Sequence, residues 1–127
     1  MARADELVAW ILERLEPLGP LRSRAMFGGH GIWLDAGPLG GPDGGLFFAL
    51  VANGTLYVKA DDDSRGLFEA EGLEAFQPFA DRPGRMNYYP VPDEVLEDQA
   101  ALVEWANRGV AAALRAPRRR PRRPRGG

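Results

Sequence analysis

The feature that most narrows the fold is the dipeptide Asn53-Gly54. It lies between two β-rich runs, Phe47-Phe48-Ala49-Leu50-Val51-Ala52 and Thr55-Leu56-Tyr57-Val58-Lys59-Ala60. Asn and Gly tolerate the two positive φ angles of a type I′ turn, whose twist matches that of the flanking strands. A two-residue loop also sets the register. It predicts Val51 opposite Leu56, Ala49 opposite Val58 and Phe47 opposite Ala60. Strand side chains alternate, so this face is wholly apolar and is predicted to meet the core. The opposite face carries Phe48, Leu50, Tyr57 and Lys59, an aromatic surface that ends in a charge.

The remaining chain supplies elements to pack on this hairpin. Leu7, Ile11 and Leu15 recur every four residues, flanked by Val8 and Leu12, which predicts a helix capped by Asp5 and stopped by Pro17, Gly19 and Pro20. Arg22 to Phe27 reads as a strand, Gly28-Gly29-His30-Gly31 as a turn and Ile32 to Asp35 as the returning strand. Ala36 to Gly45, with five glycines and two prolines, reads as a mobile loop. Asp61-Asp62-Asp63 precedes a short helix, Ser64 to Glu71, with Leu67 and Phe68 inward and Gly72 as its stop. Ala75 to Phe79 and Met86 to Val91 have strand character, with Asp81 to Gly84 a turn between them. Pro90 cannot donate to a ladder and argues for an edge strand or a strand end. Asp93 caps a short helical turn. Asp98 caps a last helix with the stripe Leu102, Trp105, Ala106, Gly109 and Ala113, which Pro117 ends. There is no internal repeat. The predicted fold is α+β: an antiparallel sheet with an N-terminal helix, an inserted short helix and C-terminal helices packed on it.

At 127 residues and 45% hydrophobic, the chain supports one domain with one core. It has no cysteine, which excludes disulfides and thiolate chemistry. The start is acidic where a signal peptide needs an apolar run, and no stretch is long and apolar enough to span a membrane. A cytoplasmic location, with no membrane contact, is the expectation. Charge divides the chain in two. The formal total is −2, and six arginines with no acid after Ala116 leave −8 on residues 1–116. The predicted division is a domain over 1–116 and a basic tail over 117–127, disordered by composition. In that tail Arg118, Arg119, Arg120, Arg122, Arg123 and Arg125 are candidates for nonspecific contact with DNA or RNA. Solubilising the chain, or folding back on the acidic body, are the other readings of it.

Little in the sequence points to catalysis. His30 is the only histidine, and with no second His or Cys beside it a tolerated turn residue is the better reading than a ligand. Phosphate loops feed a helix, whereas Ile32-Trp33-Leu34 after the glycines is strand-like, so a tight turn explains them better. Asp61-Asp62-Asp63 lacks the spacing of a calcium loop and suits a helix N-terminus. Ser64 has no histidine partner nearby in sequence. No catalytic, cofactor or metal residues are therefore assigned. The second sheet face is the candidate site. Arg22, Arg24 and Met26 share one side of the first strand, and Phe48, Leu50, Tyr57 and Lys59 share one side of the hairpin. If the two sides coincide, the surface suits stacked bases, a second copy or other protein partner, or burial under helices.

Four segments in order resemble one family, the TfoX/Sxy N-terminal domain. They are Arg24-Ala25-Met26-Phe27-Gly28-Gly29-His30-Gly31-Ile32; Leu56-Tyr57-Val58-Lys59; Phe68-Glu69-Ala70-Glu71-Gly72; and Tyr88-Tyr89-Pro90-Val91-Pro92 followed by Val95-Leu96. The positions that carry the motifs are Arg24, Met26, Phe27, Gly28, Gly29, Gly31, Tyr57, Lys59, Tyr88, Tyr89 and Pro92. The resemblance runs from about Asp5 to about Leu114. The long loop and the arginine tail depart from the family pattern, and a stand-alone N-terminal domain without the C-terminal one is expected. The resemblance implies a transcription-linked role, in competence for the two-domain members, and brings no catalytic residues with it. The expected function is thus a non-enzymatic regulatory or interaction domain, homodimeric or partnered through its sheet. The alternative is a small-molecule-binding protein or enzyme with a pocket near the Gly-rich turn and Tyr88-Tyr89.

Overall fold

The computed structural model describes residues 3–26, 28–41, 44–77 and 86–116. These form α1 (Arg3–Arg14), β1 (Leu21–Met26), β2 (Gly29–Asp35), β3 (Gly45–Ala52), β4 (Thr55–Lys59), α2 (Arg65–Glu69), β5 (Tyr88–Pro90), α3 (Asp93–Leu96) and α4 (Gln99–Arg115). The strands make one antiparallel sheet in the order β1-β2-β3-β4-β5. Each strand pairs with its neighbour in sequence, which keeps loop-closure cost low. The architecture is α+β, as predicted.

The Asn53-Gly54 hairpin forms in the predicted register: Ala52 pairs with Thr55, Val51 with Leu56 and Ala49 with Val58. Asn53 has φ 53° and Gly54 φ 75°, the left-handed pair the turn requires. Beyond Ala49 the predicted faces fail. Ile32 pairs with Ala49 but Trp33 pairs with Phe47, so Phe48 is an extra residue at a bulge in β3. A bulge reverses the alternation of everything beyond it. Phe48, expected outside, is fully buried in the core, and Phe47, expected inside with Ala60, turns outward to stack on Trp33.

The helices gather on one sheet face. Val8, Ile11 and Leu15 of α1 are buried, with Leu7 and Leu12 packed beside them. The helix begins at Arg3, so Asp5 lies within its first turn instead of capping it. A 3-10 turn over Glu16–Leu18, entered through Pro17, ends the segment. α4 crosses β3 and β4 and buries Leu102, Trp105, Ala106, Gly109, Val110 and Ala112. Its cap forms as predicted: the Asp98 carboxylate accepts the Ala101 N–H at 3.2 Å. Gly109 seats the helix directly on the sheet. A Cβ there would stand 2.7 Å from the Phe48 carbonyl oxygen and 3.3 Å from the Lys59 nitrogen. Phe68 stacks on Tyr89 at 5.1 Å and meets Trp105 edge-on at 5.3 Å. Each large apolar side chain buried this completely contributes about 1.5–3 kcal/mol.

Three local expectations need correction. α2 is a single five-residue turn with one inward position, so Phe68 is fully buried while Leu67 is 51% exposed. Of the strand expected over Ala75 to Phe79, the described part makes only an isolated bridge between Phe76 and Met86. The turn expected at Asp81 to Gly84 lies outside the described residues. α3 begins at Asp93 itself, with Pro92 in the cap position. Pro90 lies on β5 at the sheet edge, where its missing N–H costs no ladder bond.

Candidate functional site

The sheet face opposite the helices draws one residue from each strand into a continuous row. The Arg24 guanidinium lies over the Trp33 ring at 5.4 Å, and Trp33 stacks on Phe47 at 4.8 Å with 24° between planes. Phe47 meets Tyr88 at 5.8 Å, and the Lys59 ammonium lies over Tyr88 at 5.3 Å. The bulge creates this row, because without it Phe47 would point into the core. Arg22 and Met26 flank Arg24 on β1, and Arg22 pairs with Asp35 at 2.7 Å. Leu50 pairs with Tyr57 beside the row, and Tyr57 packs on Phe76 at 4.5 Å. Leu50 and Tyr88 are buried, while Met26, Trp33, Phe47, Tyr57 and Lys59 are half-buried and Arg22 and Arg24 exposed. The buried positions of α1, α2 and α4 belong to the core on the other face.

The structure therefore brings together Arg22, Arg24, Met26, Leu50, Tyr57 and Lys59 of the predicted face and removes Phe48 from it. Sequence reasoning missed Trp33 and Phe47. The alternation of β2 carried the first signal, since Trp33 lies opposite Arg22 in the β1 register.

The glycines beside the row have a different purpose from the one expected. Met26 pairs with Gly29, so Gly29, His30 and Gly31 belong to β2 and not to a turn. A Cβ on Gly31 would stand 2.8 Å from the Trp33 ring and 2.6 Å from the Met26 sulfur, and one on Gly29 would overlap the Val51 carbonyl. The bare backbone makes room for the indole and for the neighbouring strand. Gly28 alone among them has a turn conformation, with φ 75°.

A cleft of about 490 Å³ opens next to the row, lined among others by Met26, His30, Phe47, Leu50, Phe76 and Met86. It lies near the Gly-rich segment as the alternative reading expected, but Tyr88 and Tyr89 do not line it. Tyr88 is in the row, and burial pushes its phenol well above the usual range, so it stays a neutral donor. Tyr89 is in the core, where its hydroxyl donates to Glu69 Oε2 at 3.1 Å.

The aspartate run behaves as a helix start and also as an anchor. Asp61 Oδ1 accepts the Asp63 and Ser64 N–H groups at 3.1 Å each. Its two carboxylate oxygens also take a two-pronged contact from Arg115 of α4, at 2.7 and 2.9 Å. The Arg115 hydrogen bond, helped by the Ser64 N–H, outweighs partial burial and holds the Asp61 carboxyl down at about 2. Asp63 reaches Arg115 at 3.2 Å, and Asp62 pairs with Arg65. Arg115 lies 54 residues away in sequence, beyond the reach of any local pattern.

Phe27 and the six tail arginines Arg118, Arg119, Arg120, Arg122, Arg123 and Arg125 lie outside the described residues. Among the described residues, no three His, Asp or Glu side chains cluster as metal ligands, and no helix is long and apolar enough to cross a membrane.

Residues 13–113 match the family model described as the TfoX N-terminal domain. No curated protein matches the chain. The matched span begins within α1 and ends within α4, and it contains the whole sheet and every motif segment named above. The chain belongs to the TfoX N-terminal domain family.

Proposed function

We propose that this chain is a non-enzymatic regulatory domain that binds another protein through the helix-free face of its sheet, in the transcription-linked setting the family resemblance implies. The observation that carries this reading is the row of Arg24, Trp33, Phe47, Tyr88 and Lys59 across all five strands. Trp, Tyr, Phe, Met and Arg are the residues enriched in the cores of protein interfaces. Ring orientation supports a protein partner over nucleic acid. Bases bind by lying on an open aromatic face. Here Trp33 and Phe47 turn their faces to each other, and cations cover Trp33 and Tyr88. Self-association through the same face is the competing form of the interface. The basic tail adds weak, nonspecific attraction for nucleic acid.

The test is affinity capture from lysate with and without nuclease, comparing the native chain with a variant carrying Arg24→Glu and Lys59→Glu. The expected result is a protein captured equally with nuclease and lost with the variant. Capture that disappears with nuclease, or that the variant leaves intact, refutes the reading.

The apolar cleft favours a second reading, a small ligand held beside Phe47 and Leu50. Leu50→Trp fills part of that space. If the cleft holds a ligand, this variant loses the bound small molecule that native mass spectrometry detects on the purified chain.

A further inference from the structure

We infer that the partner recognised by the helix-free face is an acidic protein segment with an apolar anchor, rather than a second copy, the chain's own tail or a nucleic acid. The inference rests on the interaction reading above and names its partner by charge.

Residues 1–116 carry a formal −8, yet strand register places a locally basic surface on this face. Arg24 and Lys59 stand at the two ends of the aromatic row, each over a ring. Among the described residues, the one carboxylate that the strands place on the face is Asp35, and Arg22 holds it at 2.7 Å. Arg24 and Lys59 are thus left to aromatic rings among the described residues, cations with capacity for carboxylate partners.

Each rival occupant meets a charge conflict. A second copy laid face to face brings cations against cations, since among the described residues the strands offer no uncommitted carboxylate in return. The tail carries six arginines and no acid, so the same cations repel it. A nucleic acid brings one negative charge per ~1.7 Å of duplex, and the surrounding acidic body repels that dense line of charge. A polypeptide with two or three carboxylates satisfies Arg24 and Lys59 without that cost.

The spacing adds a shape. Arg24 is on β1 and Lys59 on β4, three strand intervals apart across the sheet and two residues apart along it, since Arg24 lines up with Tyr57 through Gly31 and Leu50, or roughly 16 Å in all. Positions i and i+4 of an extended segment are about 14 Å apart and point the same way, with i+2 between them. An acidic, apolar, acidic alternation therefore sets carboxylates at both ends of the row. Its apolar side chain falls at Phe47, which belongs to both the row and the cleft.

The test is selection from a random peptide display library on the full-length chain. Labelled selected peptides are then titrated by fluorescence polarisation. Selected peptides should be enriched in Asp and Glu around an apolar residue. Arg24→Glu with Lys59→Glu should weaken them at least about tenfold, and the Arg24→Gln and Lys59→Gln pair less. An unchanged melting temperature in the Gln pair keeps the result independent of folding. Acidic peptides whose binding survives both pairs are tail ligands and overturn the inference. Peptides that lose binding with Leu50→Glu but carry no acidic enrichment overturn it while leaving the interaction reading standing. A dimer in sedimentation velocity that Arg24→Glu with Lys59→Glu dissociates assigns the face to a second copy and also overturns it.

Discussion

The bulge in β3 makes opposite predictions for two adjacent phenylalanines. Phe48 is 0% exposed, and its carbonyl lies under Gly109 of α4. Phe48→Ala removes a fully buried ring and leaves a cavity, a loss of about 3–5 kcal/mol. Unfolding entropy of ~2.1 cal/mol/K per residue over a domain of this size converts each kcal/mol into roughly 4 °C, so melting should fall by roughly 12–20 °C. Phe47 is half-buried and loses its stack on Trp33 and its contact with Tyr88. Phe47→Ala should cost about 1–2 kcal/mol and roughly 4–8 °C, with its larger effect on partner binding. Thermal and urea unfolding by circular dichroism measure both. An unbulged strand reverses the order, so Phe47→Ala costing as much as Phe48→Ala would refute the reasoning.

Gly109→Ala should destabilise the fold by about 1–2 kcal/mol in urea titrations, although alanine is the better helix former, because the added methyl meets strand backbone. Asp61 has its carboxyl held at about 2 against an ordinary 3.8, so its contribution is complete above about pH 4 and disappears as pH falls from 3.8 through 2. Asp61→Asn should therefore lower stability at neutral pH, with the gap from the native chain closing in that acid window in unfolding titrations. Removing residues 117–127 should abolish DNA affinity in fluorescence anisotropy. With all six arginines on phosphates, the native chain should show a log–log salt slope of roughly −5.

What was legible in the sequence was local. Asn53-Gly54 specified a turn type and hence a register, and Asp98 specified a helix start from its own side chain and the N–H groups just beyond it. The apolar stripe of α1 followed from helical spacing alone. What was not legible depended on distant partners. Phe47-Phe48 satisfies strand alternation in either phase, and only the β2 ladder and the close seat of α4 decide which ring goes inside. Gly29 and Gly31 read as a turn because their spatial neighbours, Val51 and Trp33, are invisible to a local pattern. Leu67 and Phe68 compete for one inward position, and the stack on Tyr89 settles it. Arg115 reaches Asp61 only after the sheet and α4 have come together.

Hydroxyl-radical footprinting of the chain alone and in its captured complex tests directly whether the sheet face opposite the helices is the interface. Met26, Met86 and Trp33 report the face, and Trp10 on α1, 37% exposed, serves as the control on the helical side. Met26, Met86 and Trp33 should be protected in the complex, with Trp10 unchanged. Protection of Trp10, with the three face residues as reactive as in the free chain, would place the interface on the helices and contradict the proposed interface.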